Sequence, residues 1–247
     1  MKLKGKTALV TGSGRNIGKA IALAFAREGA NVVINARSNM KEAQLVADEA
    51  KSKYGVSALP LMADVGKGEE VNKMIGQALA TFGAIDILVN NPKYNPTIPF
   101  KDMKYEDWRQ AHAVILDGAF FCIKGVLPKM LERRWGRIIN IGAGGAYSGG
   151  PNQAHYFSAK MGLRGLTRGL ARELAPQGIL VNDVAPGVID TIREGPPLNI
   201  EAMKKDIPVG HIGRPEDIAE VCAFLAADTG NFINGEIIHV NGGRGMF

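Results

Sequence analysis

Cysteine is scarce: Cys122 and Cys222 are the only two in 247 residues, each in an apolar stretch with helical spacing. Their rarity excludes a disulfide framework and predicts reduced, buried thiols in a cytoplasmic protein. Histidine is nearly as rare, with four residues and no metal-ligand spacing, so no metal site is expected. Apolar runs of membrane-span or signal-peptide length are missing. The opening segment MKLKGKTALV carries lysines and passes directly into strand-like sequence, which points away from any membrane association. Linkers and low-complexity stretches are also lacking, so residues 1–247 read as one domain.

Charge of one sign is not concentrated anywhere. The net charge is +6, but lysines and arginines alternate with acids along 41–53 and 201–217, the pattern of solvated helix faces. The densest basic cluster, Arg133, Arg134 and Arg137 around Trp135, reads as a solvated helix C-terminus leading into a strand. No nucleic-acid-binding module accompanies the charge, so no nucleic-acid partner is expected.

What the chain does have is alternation. Strand-like apolar runs occur at 6–11, 31–36, 57–62, 86–90, 137–142, 179–184 and 236–240, with helix-like spacing between them. Runs such as KTALVT, NVVINA, DILVNN and RIINIG are continuously apolar, as strands covered on both faces must be. The expected fold is α/β: a doubly wound, mostly parallel sheet of about seven strands flanked by helices, with right-handed crossovers. Ligands in such sheets sit beyond the carboxyl ends of the strands.

The first strand is followed by Thr11-Gly12-Ser13-Gly14-Arg15-Asn16-Ile17-Gly18 and a helix rich in alanine and leucine. Gly12 permits a sharp turn. Gly18 permits close helix–sheet packing, with the helix N-terminal amides facing a pyrophosphate. Its place between first strand and first helix makes the turn a Rossmann-type dinucleotide signature. The second strand ends in Asn35-Ala36-Arg37-Ser38, without the acid that usually meets the ribose 2′-hydroxyl of NAD. Ala36 leaves room there, and Arg37 with Arg15 can bond a 2′-phosphate, so NADP(H) is expected, with NAD(H) as the alternative.

These residues resemble the short-chain dehydrogenase/reductase family, whose Thr-Gly-x-x-x-Gly-x-Gly pattern matches Thr11, Gly12 and Gly18. Asn16 stands in place of the middle glycine; asparagine is among the residues that tolerate positive φ. The resemblance runs through nearly the whole chain. It implies cofactor contacts from Gly12, Arg15, Asn16, Ile17 and Gly18, from Asp64 and Val65 at the adenine, from Asn90, and from Pro186, Gly187, Ile189 and Thr191 near the nicotinamide. The strand signature Val240-Asn241-Gly242-Gly243 closes it. Tyr156-Phe157-Ser158-Ala159-Lys160 matches the Tyr-x-x-x-Lys motif. Residues four apart share a helical face, so the lysine can lower the tyrosine pKa and also contact the cofactor. Tyr156 is thus the candidate acid/base and Lys160 its partner.

Two members of the family's catalytic set are missing. The serine expected thirteen residues before the tyrosine is Ala143, and the asparagine that holds a relay water aligns with Ile115. After the fourth strand, Asn-Asn-Ala-Gly becomes Asn90-Asn91-Pro92-Lys93. Lys93, Tyr94, Tyr147 and Ser148 are therefore candidates, beside Ala143, for the substrate pocket. His155 points away from the tyrosine's helical face and is expected to pack or to lie at the surface rather than to take part in catalysis; Asn152 and Gln153 either line the pocket mouth or cap the helix. The family implies a substrate lid at about 191–208 and a homotetramer or homodimer using helices near 105–131 and 154–175. Two functions stay open: a reductase or dehydrogenase acting on a small carbonyl or alcohol, or a cofactor-binding regulatory protein of the same fold.

Overall fold

The computed structural model describes residues 1–192 and 200–246. Seven strands form one sheet: β1 (Thr7–Val10), β2 (Asn31–Ala36), β3 (Ala58–Met62), β4 (Ile87–Asn90), β5 (Gly136–Ile141), β6 (Ile179–Pro186) and β7 (Ile237–Val240). Their spatial order is β3-β2-β1-β4-β5-β6-β7, and every pair is parallel. The winding direction reverses between β1 and β4. A crevice therefore opens beyond Val10 and Asn90, where the ends of two strands feed diverging connections.

The helices are α1 (Asn16–Arg27), α2 (Met40–Tyr54), α3 (Gly68–Phe82), α4 (Tyr105–His112), α5 (Gly118–Arg133), α6 (Ala154–Leu174), α7 (Ile200–Lys205) and α8 (Pro215–Ala226). Alternate strand residues face opposite layers. Val10, Ile34, Val89, Ile139 and Val184 pack with Ile21, Phe25, Val46, Ile218 and Leu225 of α1, α2 and α8. Leu9, Val33, Leu88, Ile138 and Val181 pack with Met74, Ile75, Val126 and Met130 of α3 and α5. This covering of both faces explains why the strands read as unbroken apolar runs.

Three local expectations change. The helix expected over 105–131 is interrupted by a π-helical turn at Ala113–Asp117. Its wider winding is invisible to a 3.6-residue apolar pattern, and such turns are frequent at functional sites. Strand β6 runs on to Pro186, beyond the expected end at 184, because Gly187 N continues the ladder by donating to Val240 O. The Arg133–Arg137 cluster is not a solvated face throughout. Arg137 is buried, with its guanidinium 4.4 Å from the Trp135 ring centroid and 3.5 Å from Asp228. Arg133 reaches Asp86, and Arg134 caps α5 in the left-handed region while donating to Pro176 O.

Cys122 and Cys222 are free and buried, and burial pushes the Cys122 thiol up to about 12. Of the segment expected as a lid, 193–199 lie outside the described residues; α7 follows them. Among the described residues no helix is long and apolar enough to cross a membrane.

Candidate active site

The glycine turn is held by buried polar side chains. Thr11 Oγ1 donates to Val89 O (3.0 Å) and accepts from Asn91 N (3.2 Å), while Asn91 Nδ2 donates to Thr11 O and Gly12 O, each at 3.1 Å. Ser13 Oγ donates to Val10 O (2.6 Å) and accepts from Asn35 N (3.0 Å). Asn35 Oδ1 in turn accepts from Gly12 N at 3.0 Å. The turn thus spans β1, β2 and β4 at the reversal point. Ser13 and Asn35 carry this bracing; the only trace in the sequence is a polar residue at the end of an apolar run.

Gly12 and Asn16 have φ of 60° and 54°, so asparagine occupies the left-handed region where the family has glycine. The Asn16 side chain also clamps a distant segment. Its Nδ2 donates to Ile192 O (3.0 Å) and its Oδ1 accepts from Ile192 N (2.9 Å). Gly18 is buried under the turn. A Cβ there would strike Gly12 O and come within 2.8 Å of Ser13 Cα and Asn91 Nδ2. The N-cap residue Arg15 makes no side-chain cap bond to α1, so the helix N-terminal amides have the geometry of an anion cradle.

Beyond β2, buried Ala36 is followed by exposed Arg37, and Asn39 caps α2 by accepting from Glu42 N. Arg15 is likewise exposed. Asp64 Oδ1 accepts from Gly66 N (3.0 Å), and Val65 packs against Gly118. A narrow cleft brings Thr11, Val65, Asn90 and Pro92 together with Ile115 and Leu163. On its far side, Gly187 lies so close to Asn241 that a Cβ would sit 2.7 Å from Asn241 Cα. Ile189 is buried, its β-bridge to Gly213 tying down the chain before Thr191.

Tyr156 and Lys160 lie one turn apart on α6, 9% and 2% exposed. Lys160 Nζ is 5.9 Å from the tyrosine ring centroid and donates to Ile141 O at 2.5 Å. Tyr156 belongs to a small buried apolar cluster with Ile115, Ala119, Ala143, Ala146, Ala159 and Leu163. Both replacements of polar family residues, Ile115 and Ala143, are therefore brought into the same cluster as the tyrosine. Burial raises the Tyr156 pKa, with Asp183 adding to the rise and Arg164 opposing it. Burial lowers that of Lys160; Asp183 resists, while Lys93 and Arg164 lower it further.

The remaining pocket candidates divide. Lys93 is exposed, yet its charge is felt at Lys160. Tyr94 is turned elsewhere: its hydroxyl donates to Asp107 Oδ1 (3.3 Å) and its ring meets His155 edge-on. His155 is fully buried, consistent with packing. Tyr147 carries the Arg164 guanidinium 4.1 Å from its ring centroid, and Ser148 makes only long contacts within its own loop. Gln153 Nε2 donates to Asn95 Oδ1 and Asn152 O accepts from Ile98 N, so both fasten the loop after β4. Arg164 and Asp183 escaped the sequence reading. Their signals were an arginine four residues after Lys160 and an aspartate inside the apolar run ILVNDVAP.

The glycine turn at the reversal point of the parallel sheet defines a protein of the doubly wound α/β class. A family model described as enoyl-(acyl carrier protein) reductase matches residues 12–244. The chain is 42% identical over 243 residues to the 3-oxoacyl-(acyl-carrier-protein) reductase FabG of Staphylococcus epidermidis, covering 98% of this chain and 99% of the relative. It is 42% identical over 246 residues to the FabG of Aquifex aeolicus, covering 98% of each. The 3-oxoacyl-(acyl-carrier-protein) reductase of Synechocystis is 40% identical over 247 residues, covering 99% of each. The chain belongs to the short-chain dehydrogenase/reductase family and is an oxidoreductase.

Proposed function

We propose that the protein is an NADP(H)-dependent reductase that interconverts a carbonyl and a secondary alcohol, with a 3-oxoacyl thioester as its substrate class. The observation that carries the reading is the pairing of Tyr156 and Lys160 on one buried face of α6. The relatives' names supply the substrate class. A cytoplasmic homodimer or homotetramer fits the exposed apolar Phe120, Leu131 and Met161 on α5 and α6.

The crevice residues fit the cofactor. Gly18 lets α1 start directly against the Gly12 turn, the N-cap residue Arg15 makes no side-chain cap bond, and no acid stands at the end of β2 to repel a phosphate. Gly12, Asn16, Ile17 and Gly18 would hold the pyrophosphate, and Arg15 and Arg37 the 2′-phosphate. Asp64 and Val65 would flank the adenine. Asn90, Pro186, Gly187, Ile189 and Thr191 would border the nicotinamide. Bound there, the cofactor supplies hydride. Tyr156 gives its proton to the substrate oxygen, and the Lys160 ammonium favours the resulting tyrosinate. Ile115 and Ala143 keep water from the tyrosine. Lys93, whose charge already reaches Lys160, is the group we assign to polarise the substrate.

The test is NADPH oxidation with a panel of 3-oxoacyl thioesters and simple ketones. Tight NADPH binding without turnover of any of them would favour the regulatory reading, which draws its support from the apolar surroundings of Tyr156. Arg37→Ala is expected to weaken NADPH by about tenfold and NADH little, the worth of one charge-assisted hydrogen bond. Equal losses in fluorescence titrations would refute the phosphate assignment. Ala143→Ser is expected to raise kcat by about tenfold, since one donor to a developing oxyanion is worth roughly that or more. A fall in kcat would show that the pocket works only with alanine.

A further inference from the structure

Three ionisable side chains converge on the segment Ile141-Gly142-Ala143, behind Tyr156. Lys160 Nζ donates to Ile141 O. Arg164, one turn further along α6 and 2% exposed, donates from Nη2 to Ala143 O at 2.7 Å. Between them, Asp183 of β6 is 0% exposed, and neither of its oxygens has a hydrogen-bond partner. Its carboxylate lies against Gly142: a Cβ at that position would collide with Oδ1 and Oδ2 and sit 2.7 Å from Cγ. Asp183 is in register with Asn140, which bonds Asn90 on one side and Thr167 of α6 on the other. A polar row thus crosses the sheet beneath the tyrosine helix. Asp183 is its one carboxylate.

A carboxylate sealed without hydrogen bonds costs several kcal/mol unless nearby cations offset it. For shape alone, a neutral side chain would fill the space without that cost. The geometry points to Asp183 as a positioning residue for the proposed acid/base pair: an anion fixed against Gly142 that, with Arg164 as its opposing cation, sets the charge felt by both Tyr156 and Lys160. This rests on the reading of Tyr156 and Lys160 given above.

The signs follow from the charges. The groups that sense Asp183 are Lys160, Arg164 and Tyr156 on α6 and, across the sheet, Cys222 on α8. Lys93, from the loop after β4, acts on Lys160, and Arg164 also acts on His239 of β7. Asp183 raises the pKa of both Tyr156 and Lys160, while Arg164 lowers both. Neutralising either one therefore moves the pair together, and the two replacements act in opposite directions.

The test uses Asp183→Asn and Arg164→Gln in the full chain, with folding checked by circular dichroism. Tyrosine ionisation is followed by ultraviolet absorbance without cofactor, with Tyr156→Phe identifying the Tyr156 contribution. Asp183→Asn is expected to shift that ionisation, and the alkaline limb of kcat/KM, to lower pH by about one unit; Arg164→Gln shifts both to higher pH by a similar amount. Arg164→Gln alone carries the test if Asp183→Asn does not fold. Unmoved titrations, or shifts of one sign in both variants, overturn the inference. Opposite tyrosine shifts in a protein without reductase activity would uphold the control of Tyr156 by Asp183 and sink the reductase reading instead.

Discussion

Tyr156→Phe is expected to lower kcat for carbonyl reduction by roughly a thousandfold, the worth of a positioned general acid, while leaving NADPH affinity nearly unchanged. The substitution removes one hydroxyl and keeps the ring. The ring packs among Ile115, Ala143, Ala159 and Leu163 and lies 5.2 Å, centroid to centroid, from Phe157. Stability should therefore hold, and the loss should appear in kcat more than in KM. Single-turnover kinetics with saturating NADPH separate the chemical step from binding. Undiminished turnover would remove Tyr156 from the reaction and require another group to supply the proton. The apolar surroundings make this a demanding case: with Ala143 and Ile115 offering no hydroxyl or amide, no neighbouring side chain at those two positions can take over the proton.

Gly18→Ala carries the second large effect. The added methyl would meet Gly12 O, Ser13 Cα and Asn91 Nδ2. Two of these are backbone atoms, and the third is fixed by bonds to Thr11 O and Gly12 O. Relief requires moving the whole turn. The expected cost is about 1–3 kcal/mol of stability, as for overpacking a tight interior site, together with a loss of NADPH affinity of at least about tenfold as the α1 amides shift. Urea unfolding and fluorescence titration report the two. A variant with normal stability and normal affinity would contradict the close approach.

Much of the scaffold was legible because its signals are local. Continuous apolar runs such as NVVINA can be satisfied only by strands covered on both faces, and Gly12 and Gly18 between the first strand and first helix fix where the crevice lies. Tyr156 and Lys160 were legible because four-residue spacing defines one helical face. What stayed hidden depends on side chains meeting across elements. Ser13 and Asn35 join a turn to the neighbouring strand. The π turn at Ala113–Asp117 changes the winding without changing the apolar pattern. Asn16 was read as a tolerated substitute for glycine, but its side chain also binds Ile192, a contact between segments 176 residues apart. Arg164 and Asp183 drew no reading from the sequence, one lying on a helix and the other inside an apolar run. Only the register of β5 against β6 brings them to one place.

The contact between Asp183 and Gly142 also constrains the order in which this sequence can change. With the carboxylate where it lies, a methyl group at 142 would meet the Asp183 side chain, so a change at 142 needs the carboxylate to turn away or position 183 to become smaller. Position 183 is under no matching restriction, because shrinking it leaves a gap rather than a collision. The two sites are unequally coupled in sequence space: the less costly route from this buried charge to a side chain at 142 passes first through a change in β6.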